Sequence, residues 1–148
     1  MDRDGFVEFL IRAKKATYAG KGAESASSRP ASHDLVYEEG ELKYIDSYLG
    51  GRRFSGEEAV WQNGVPVWAM NYSGRITGEP FSGDFLKAAL LRVPREAPYR
   101  GPARFEDGNY AYLCKPEGGL EWFQGQEEIR FDGRTIYELY FLVGRVEY

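Results

Sequence analysis

Tyr37-Glu38-Glu39-Gly40-Glu41-Leu42-Lys43-Tyr44 returns 68 positions later as Phe105-Glu106-Asp107-Gly108-Asn109-Tyr110-Ala111-Tyr112. Each copy runs from an aromatic through two acids and a glycine to a Tyr. At the same spacing Gly50-Gly51 falls on Gly118-Gly119. After a slip of one residue, Phe54-Ser55-Gly56-Glu57-Glu58 falls on Phe123-Gln124-Gly125-Gln126-Glu127. Gly64-Val65-Pro66-Val67-Trp68 then falls on Gly133-Arg134-Thr135-Ile136-Tyr137. The register predicts an internally duplicated chain whose two units meet about a pseudo-twofold axis, with a groove between them.

Each unit opens on an amphipathic helix. In the first, Asp2 or Asp4 caps it and Phe6, Phe9, Leu10 and Ala13 form its apolar face. In the second, Ser82 is the cap, Phe81 and Phe85 staple the first turn, and Phe85, Leu86, Ala89, Leu90 and Val93 form the face. Pro94 stops it. Four strands follow each helix. Hairpins over 35–39 and 42–48 and over 104–107 and 109–115 turn at Gly40-Glu41 and Gly108-Asn109. Those over 57–62 and 66–73 and over 126–131 and 134–142 turn at Asn63-Gly64 and Asp132-Gly133. The fold class is therefore α+β: an α-β-β-β-β unit used twice, with two helices packed on about eight antiparallel strands. Residues 1–148 form a single domain, with one repeat over about 1–78 and the other over about 79–148. The Gly-, Ser- and Ala-rich segment 20–34 reads as a mobile loop.

Composition removes several classes of function. A net charge of −4 argues against direct nucleic-acid binding. The one cysteine, Cys114, rules out an internal disulfide and a Cys-based zinc site. No phosphate loop, dinucleotide fingerprint or zinc motif is present, so neither a cofactor nor a metal is expected. No apolar stretch has bilayer-spanning length, and Met1-Asp2-Arg3-Asp4 does not open a signal peptide, which points to the cytoplasm.

Glu58 and Glu127 are the leading site candidates. Each alternates with apolar residues, Phe54 and Val60 in one unit and Phe123 and Ile129 in the other. That parity turns a carboxylate toward the core, where it needs a partner or a ligand. The alternative is that Gly56 and Gly125 mark bulges that flip the register and leave the acids in solvent. Trp68 and Tyr72 share one face of their strand, Asn71 faces the other way, and Tyr137 and Glu138 stand in the matching strand. Trp61 faces away from Val60. Tyr48 and Tyr112 complete the set of ligand-binding candidates. The same aromatics serve equally as plain core. Asp46 against Cys114, Trp61 against Arg130, Ala69 against Glu138 and Asn71 against Tyr140 break the internal match and mark positions the shared fold does not require. Ser32, His33 and Asp34 are too close in sequence to form a held triad, and no nucleophile elbow accompanies them. Arg29 and Arg100 precede the first hairpin of each unit and suit either an anionic ligand or an acid of the neighbouring unit.

The runs Ser28-Arg29-Pro30-Ala31-Ser32-His33-Asp34-Leu35, Tyr44-Ile45-Asp46-Ser47-Tyr48, Phe54-Ser55-Gly56-Glu57-Glu58 and Trp68-Ala69-Met70-Asn71-Tyr72 together resemble a bacterial domain family of unknown function. Tyr99-Arg100-Gly101-Pro102 and Tyr137-Glu138-Leu139 fit it as well. Leu142-Val143-Gly144 departs from it, standing where a glycine pair is the rule. The resemblance implies a domain found alone or behind an XRE-type helix-turn-helix domain, and a regulatory role by association. The duplicated helix-and-strand unit is also similar to effector-binding domains of the gyrase-inhibitory-protein and haem-binding SOUL type, which hold a ligand between halves. The expectation is a small-molecule-binding or sensing domain. Its alternatives are an enzyme using a buried Glu as general acid or base, and an interaction module, with a homodimer as one form, that uses an aromatic sheet face.

Overall fold

A computed structural model describes residues 2–148. The first helix, α1 (Arg3–Ala16), starts where the Asp2 carboxylate accepts from the Gly5 N–H at 2.7 Å, so Asp2 and not Asp4 is the cap. Four strands follow: β1 (His33–Glu39), β2 (Leu42–Gly50), β3 (Arg53–Gln62) and β4 (Val65–Ile76). The second helix, α2 (Gly83–Leu90), is capped by Ser82, whose hydroxyl accepts from the Phe85 N–H at 3.1 Å. It closes before Pro94 is reached. Phe81 stacks on Tyr137 with ring centres 5.5 Å apart, and Phe85 stacks on Phe105 and Tyr110, so the two rings do not staple the first turn. Four more strands complete the chain: β5 (Arg104–Asp107), β6 (Tyr110–Gly119), β7 (Trp122–Phe131) and β8 (Arg134–Arg145).

All eight strands form one antiparallel sheet in the order β1-β2-β3-β4-β8-β7-β6-β5. Several are longer than the sequence pattern predicts, because Gly- and Pro-containing ends such as Gly74-Arg75-Ile76 and Pro116-Glu117-Gly118-Gly119 continue the ladder. Asn63-Gly64 and Asp132-Gly133 have φ of 50° and 80° and of 50° and 79°. Positive φ at both central residues is the type I′ geometry, whose twist matches that of the flanking strands. The β3–β4 ladder slips at Val60/Trp61 and the β7–β8 ladder at Ile129/Arg130. The bulges therefore lie beyond the glutamates, and Gly56 and Gly125 sit in regular ladder.

Both helices lie on one face of the sheet. Phe9, Leu10 and Ala13 of α1 and Phe85, Leu86 and Ala89 of α2 are buried with Tyr44, Val60, Met70, Ile129, Leu139 and Phe141. The opposite face exposes Glu57, Asn71, Ser73, Gln126, Tyr140 and Leu142. Segment 20–34 is tied down, contrary to its reading as a mobile loop. The Ser25 N–H donates to the Asp34 carbonyl at 2.8 Å, and buried Asp34 accepts from the Ser32 hydroxyl at 2.6 Å and the Ser47 hydroxyl at 3.0 Å. Its serines anchor the segment through local hydrogen bonds. Among the described residues, no helix is long and apolar enough to cross a membrane.

Candidate functional site

The alternation in β3 and β7 brings Glu58 and Glu127 inward, with 4% and 0% of their surface exposed. Neither lies in solvent, because the register continues unbroken through Gly56 and Gly125. Glu127 receives four donors. Arg100 donates to both carboxylate oxygens, Nη2 at 2.8 Å and Nε at 3.0 Å, Tyr137 donates at 2.7 Å, and the Tyr112 hydroxyl also donates. The forked guanidinium suits a carboxylate in this bidentate way. Glu58 accepts from Lys14 Nζ at 2.6 Å and from the Tyr44 hydroxyl at 2.5 Å. Arg100 Nη1 lies 4.0 Å from its other oxygen, so one arginine spans the two acids.

Lys14 and Arg100 arrive from opposite elements, α1 and the segment after α2. Lys14 also donates to the Tyr99 carbonyl at 2.7 Å, which joins those two elements directly. Burial lowers the Lys14 pKa against the pull of Glu58. Burial works the same way on Arg100, but Glu127 overrides it and leaves that pKa well above the ordinary arginine value. Burial, and next the nearby Glu127 charge, raise the Tyr137 and Tyr112 hydroxyls well above the phenol range, so both stay protonated donors.

A fifth ionisable group completes the cluster. Asp46 pairs with Glu58 across β2 and β3, is 4% exposed, and accepts from the Tyr72 hydroxyl at 2.6 Å. Gly56 makes that contact possible, since a Cβ there would lie 2.6 Å from the Tyr72 ring. Burial, then the Glu58 charge, raise the Asp46 pKa to about 7.

Asp46, Tyr72 and Arg100 form the floor of a cavity of about 260 Å³. Tyr48, Phe54, Phe81, Leu86 and Tyr137 wall it, and Tyr18 and His33 stand with Gly50 and Gly51 around the rest. The volume is slightly below the ~300–1,000 Å³ usual for small-molecule pockets. A smaller void of about 20 Å³ adjoins it, sharing Tyr18, Asp46 and Arg100 and reaching Lys14, Tyr44 and Glu58.

The second half of the sheet has its own hollow of about 650 Å³, lined by Phe6, Trp68, Gly119, Leu120, Trp122 and Arg145, and Cys114, Phe123 and Phe141 are not among its lining residues. Phe123 stands where Phe54 does in the first half, and Tyr99 lies flat on it, ring centres 4.0 Å apart. Among the described residues, no ring lies on Phe54 in that way. The Asp46–Tyr72 pair is matched by Cys114 and Phe141, which supply neither carboxylate nor hydroxyl.

The cluster and cavity thus collect Glu58, Glu127, Tyr48, Tyr72, Tyr112 and Tyr137. Four other sequence candidates lie elsewhere. Trp61 and exposed Asn71 are on the face away from the helices, as is Glu138, which pairs with Arg75 at 2.7 Å. Plain alternation puts them there, since Trp61 follows inward Val60, and Asn71 and Glu138 are out of phase with inward Tyr72 and Tyr137. Trp68 is on the helix side but at the far end of β4, where its indole N–H donates to the Leu120 carbonyl at 3.2 Å. Lys14 carried no sequence signal beyond a short basic pair. Asp46 was legible only as a break in the internal match, and Arg100 only as a cation before a hairpin. Among the described residues, no group of His, Cys, Asp or Glu is arranged to hold a metal ion.

Residues 46–146 match the family model described as a domain of unknown function, DUF5680. The chain belongs to the DUF5680 family. The matched span begins at Asp46 and includes Glu58, Tyr72, Arg100 and Glu127, whereas Lys14 and Tyr18 precede it. No curated protein and no solved structure matches the chain.

Proposed function

We propose that this DUF5680 chain is a small-molecule-binding or sensing domain whose ligand enters the cavity above Asp46. One observation carries the reading. An aromatic-walled cavity of about 260 Å³ ends on a buried carboxylate and a buried guanidinium, the combination of apolar walls and few convergent polar groups that marks ligand pockets. The matching turns and bulges in the two halves of the sheet support an origin by internal duplication about a pseudo-twofold axis. In that picture one half holds the buried Asp46–Tyr72 pair beside its cavity, and the other holds Cys114 and Phe141 at those places. The likeness to effector-binding domains and to domains that follow helix-turn-helix regulators favours sensing over metabolism. A thermal-shift screen of cationic, aromatic and nucleotide-like compounds tests the reading, since a ligand of the folded state raises its melting temperature. Tyr48→Trp, which narrows the cavity wall, is expected to reduce any shift. Shifts that are equal in both proteins would overturn the assignment to this cavity.

A second reading is an enzyme, and the floor residue shapes it. Glu58 and Glu127 are held by cations and tyrosines, so the group with a free carboxylate oxygen toward the cavity is Asp46. A carboxyl group titrating near neutrality suits general acid–base work. Turnover of a cavity-bound compound that vanishes in Asp46→Asn would favour this reading. The interaction-module and homodimer readings draw on less, because the open sheet face sets Tyr140 and Leu142 among Glu57, Asn71, Ser73 and Gln126.

A further inference from the structure

We infer that the cavity takes a small aromatic molecule carrying a basic nitrogen, held as its ammonium form on Asp46. This rests on the ligand-binding reading above and names the ligand class.

The charge count is the first observation. Lys14 is engaged by Glu58 and the Tyr99 carbonyl. Arg100 is engaged by Glu127 through two hydrogen bonds. Each buried cation therefore has its own carboxylate, and Asp46 is the acid left over. Among the described residues, its only side-chain hydrogen-bond donor is the neutral Tyr72 hydroxyl. A carboxylate at that depth is stable only with a compensating charge or a proton. The cavity is the one side from which a ligand can bring that charge. Its walls point the same way, since the rings of Tyr18, Tyr48, Phe54, Phe81 and Tyr137 surround the approach and aromatic faces attract ammonium groups. An anionic ligand would find Arg100 already held by Glu127 through two hydrogen bonds, with the Asp46 carboxylate beside it.

The second observation is independent. In the other half of the sheet the carboxylate and the hydroxyl that binds it are missing together, replaced by Cys114 and Phe141, and the Tyr99 ring lies on Phe123 beside them. The matching place holds Cys114, so nothing in the fold requires an acid here.

Binding then carries a proton signature. The groups facing Asp46 are Tyr44 on its own strand, Glu58 from β3, Tyr72 from β4, Lys14 from α1 and Arg100 from the segment after α2. Tyr18, Tyr48 and His33 lie further out along the cavity. With Asp46 titrating at about 7, ammonium uptake at pH 6 releases its proton to solvent.

The test compares 2-phenylethylamine, 2-phenylethanol and phenylacetate with the full chain, by ligand-observed NMR and calorimetry. The amine is expected to bind at least about tenfold more tightly than the alcohol, as a hydrogen bond to a charged group provides. Its affinity should fall about tenfold per unit as pH drops below 7, with proton release visible as a dependence of heat on buffer. Asp46→Asn should abolish the preference for the amine. Tyr48→Leu, at a half-buried position on the cavity wall, should weaken the amine more than the alcohol. Equal or tighter binding of the alcohol or of phenylacetate, or a preference that survives Asp46→Asn, overturns the ammonium assignment and leaves ligand binding standing. No binding of any of the three at millimolar concentration overturns both.

Discussion

The Tyr72 hydroxyl donates to Asp46 across strand β3, over Gly56, at 2.6 Å. At the matching places in the second half stand Phe141 and Cys114, so donor and acceptor are lost as a pair. A lone hydroxyl or a lone carboxylate in this core would cost more than either the pair or its joint absence.

The titration of Asp46 has a sign that stability measurements can check. Its folded pKa, about 7, lies above the ordinary aspartate value of 3.8. Its contribution is therefore fully present below about pH 4 and is lost as pH rises to about 7. Asp46→Asn removes that dependence. Denaturation of both proteins from pH 4 to pH 8 should show the variant gaining on the parent by up to about 4 kcal/mol. A difference that is flat with pH would contradict the assignment.

Arg100→Met leaves Glu127 buried without its cation and is expected to cost about 3–5 kcal/mol. Adding Glu127→Gln removes the stranded charge and keeps an acceptor for Tyr112 and Tyr137. The double variant should recover most of the loss in urea denaturation, and an additive result would mean that the pair is not coupled.

Gly56 and Gly125 are needed for the space above them. A Cβ at Gly56 would lie 2.6 Å from both the Tyr72 ring and the Tyr48 Cβ, and one at Gly125 would lie 2.2 Å from the Phe141 ring. Each Gly→Ala change should cost about 1–3 kcal/mol by overpacking. Gly56→Ala should also move the Tyr72 side-chain NMR signals, because the ring must leave Asp46.

Leu86, 3% exposed on α2, both packs the core and walls the cavity. Leu86→Ala should cost about 2–5 kcal/mol in two-state denaturation. It should also widen the cavity, so that bulkier aromatic amines are tolerated. A loss well under that range would mean that α2 packs less tightly than its burial indicates.

The α+β class, both helices and four of the six hairpin turns were legible because they depend on local signals: capping residues, 3.6- and 2-residue periods, and Gly-containing turns such as Asn-Gly and Asp-Gly. Parity offered the inward direction of Glu58 and Glu127 as one of two readings, and the unbroken ladder through Gly56 and Gly125 decides for it. Their partners were not legible, since Lys14 and Arg100 reach them from residues far away in sequence, and no periodicity encodes such a meeting. The relative facing of Trp61 and Glu138 followed from alternation, but a strand's sequence does not say which of two semi-apolar faces the helices will choose.

The sheet order also bears on how the chain reaches its structure. Every strand pairing except one joins consecutive strands. Only β4 with β8 unites distant segments, from Trp68 with Arg145 at one end to Ile76 with Tyr137 at the other. Hairpins close quickly and at small entropic cost, whereas a long-range ladder must wait for its ends to meet. The two four-stranded halves therefore have the means to assemble separately, and their joining along β4 and β8 becomes the late, rate-setting event. Arg100, which reaches both glutamates only when the halves are in place, then acts as a latch on the finished sheet.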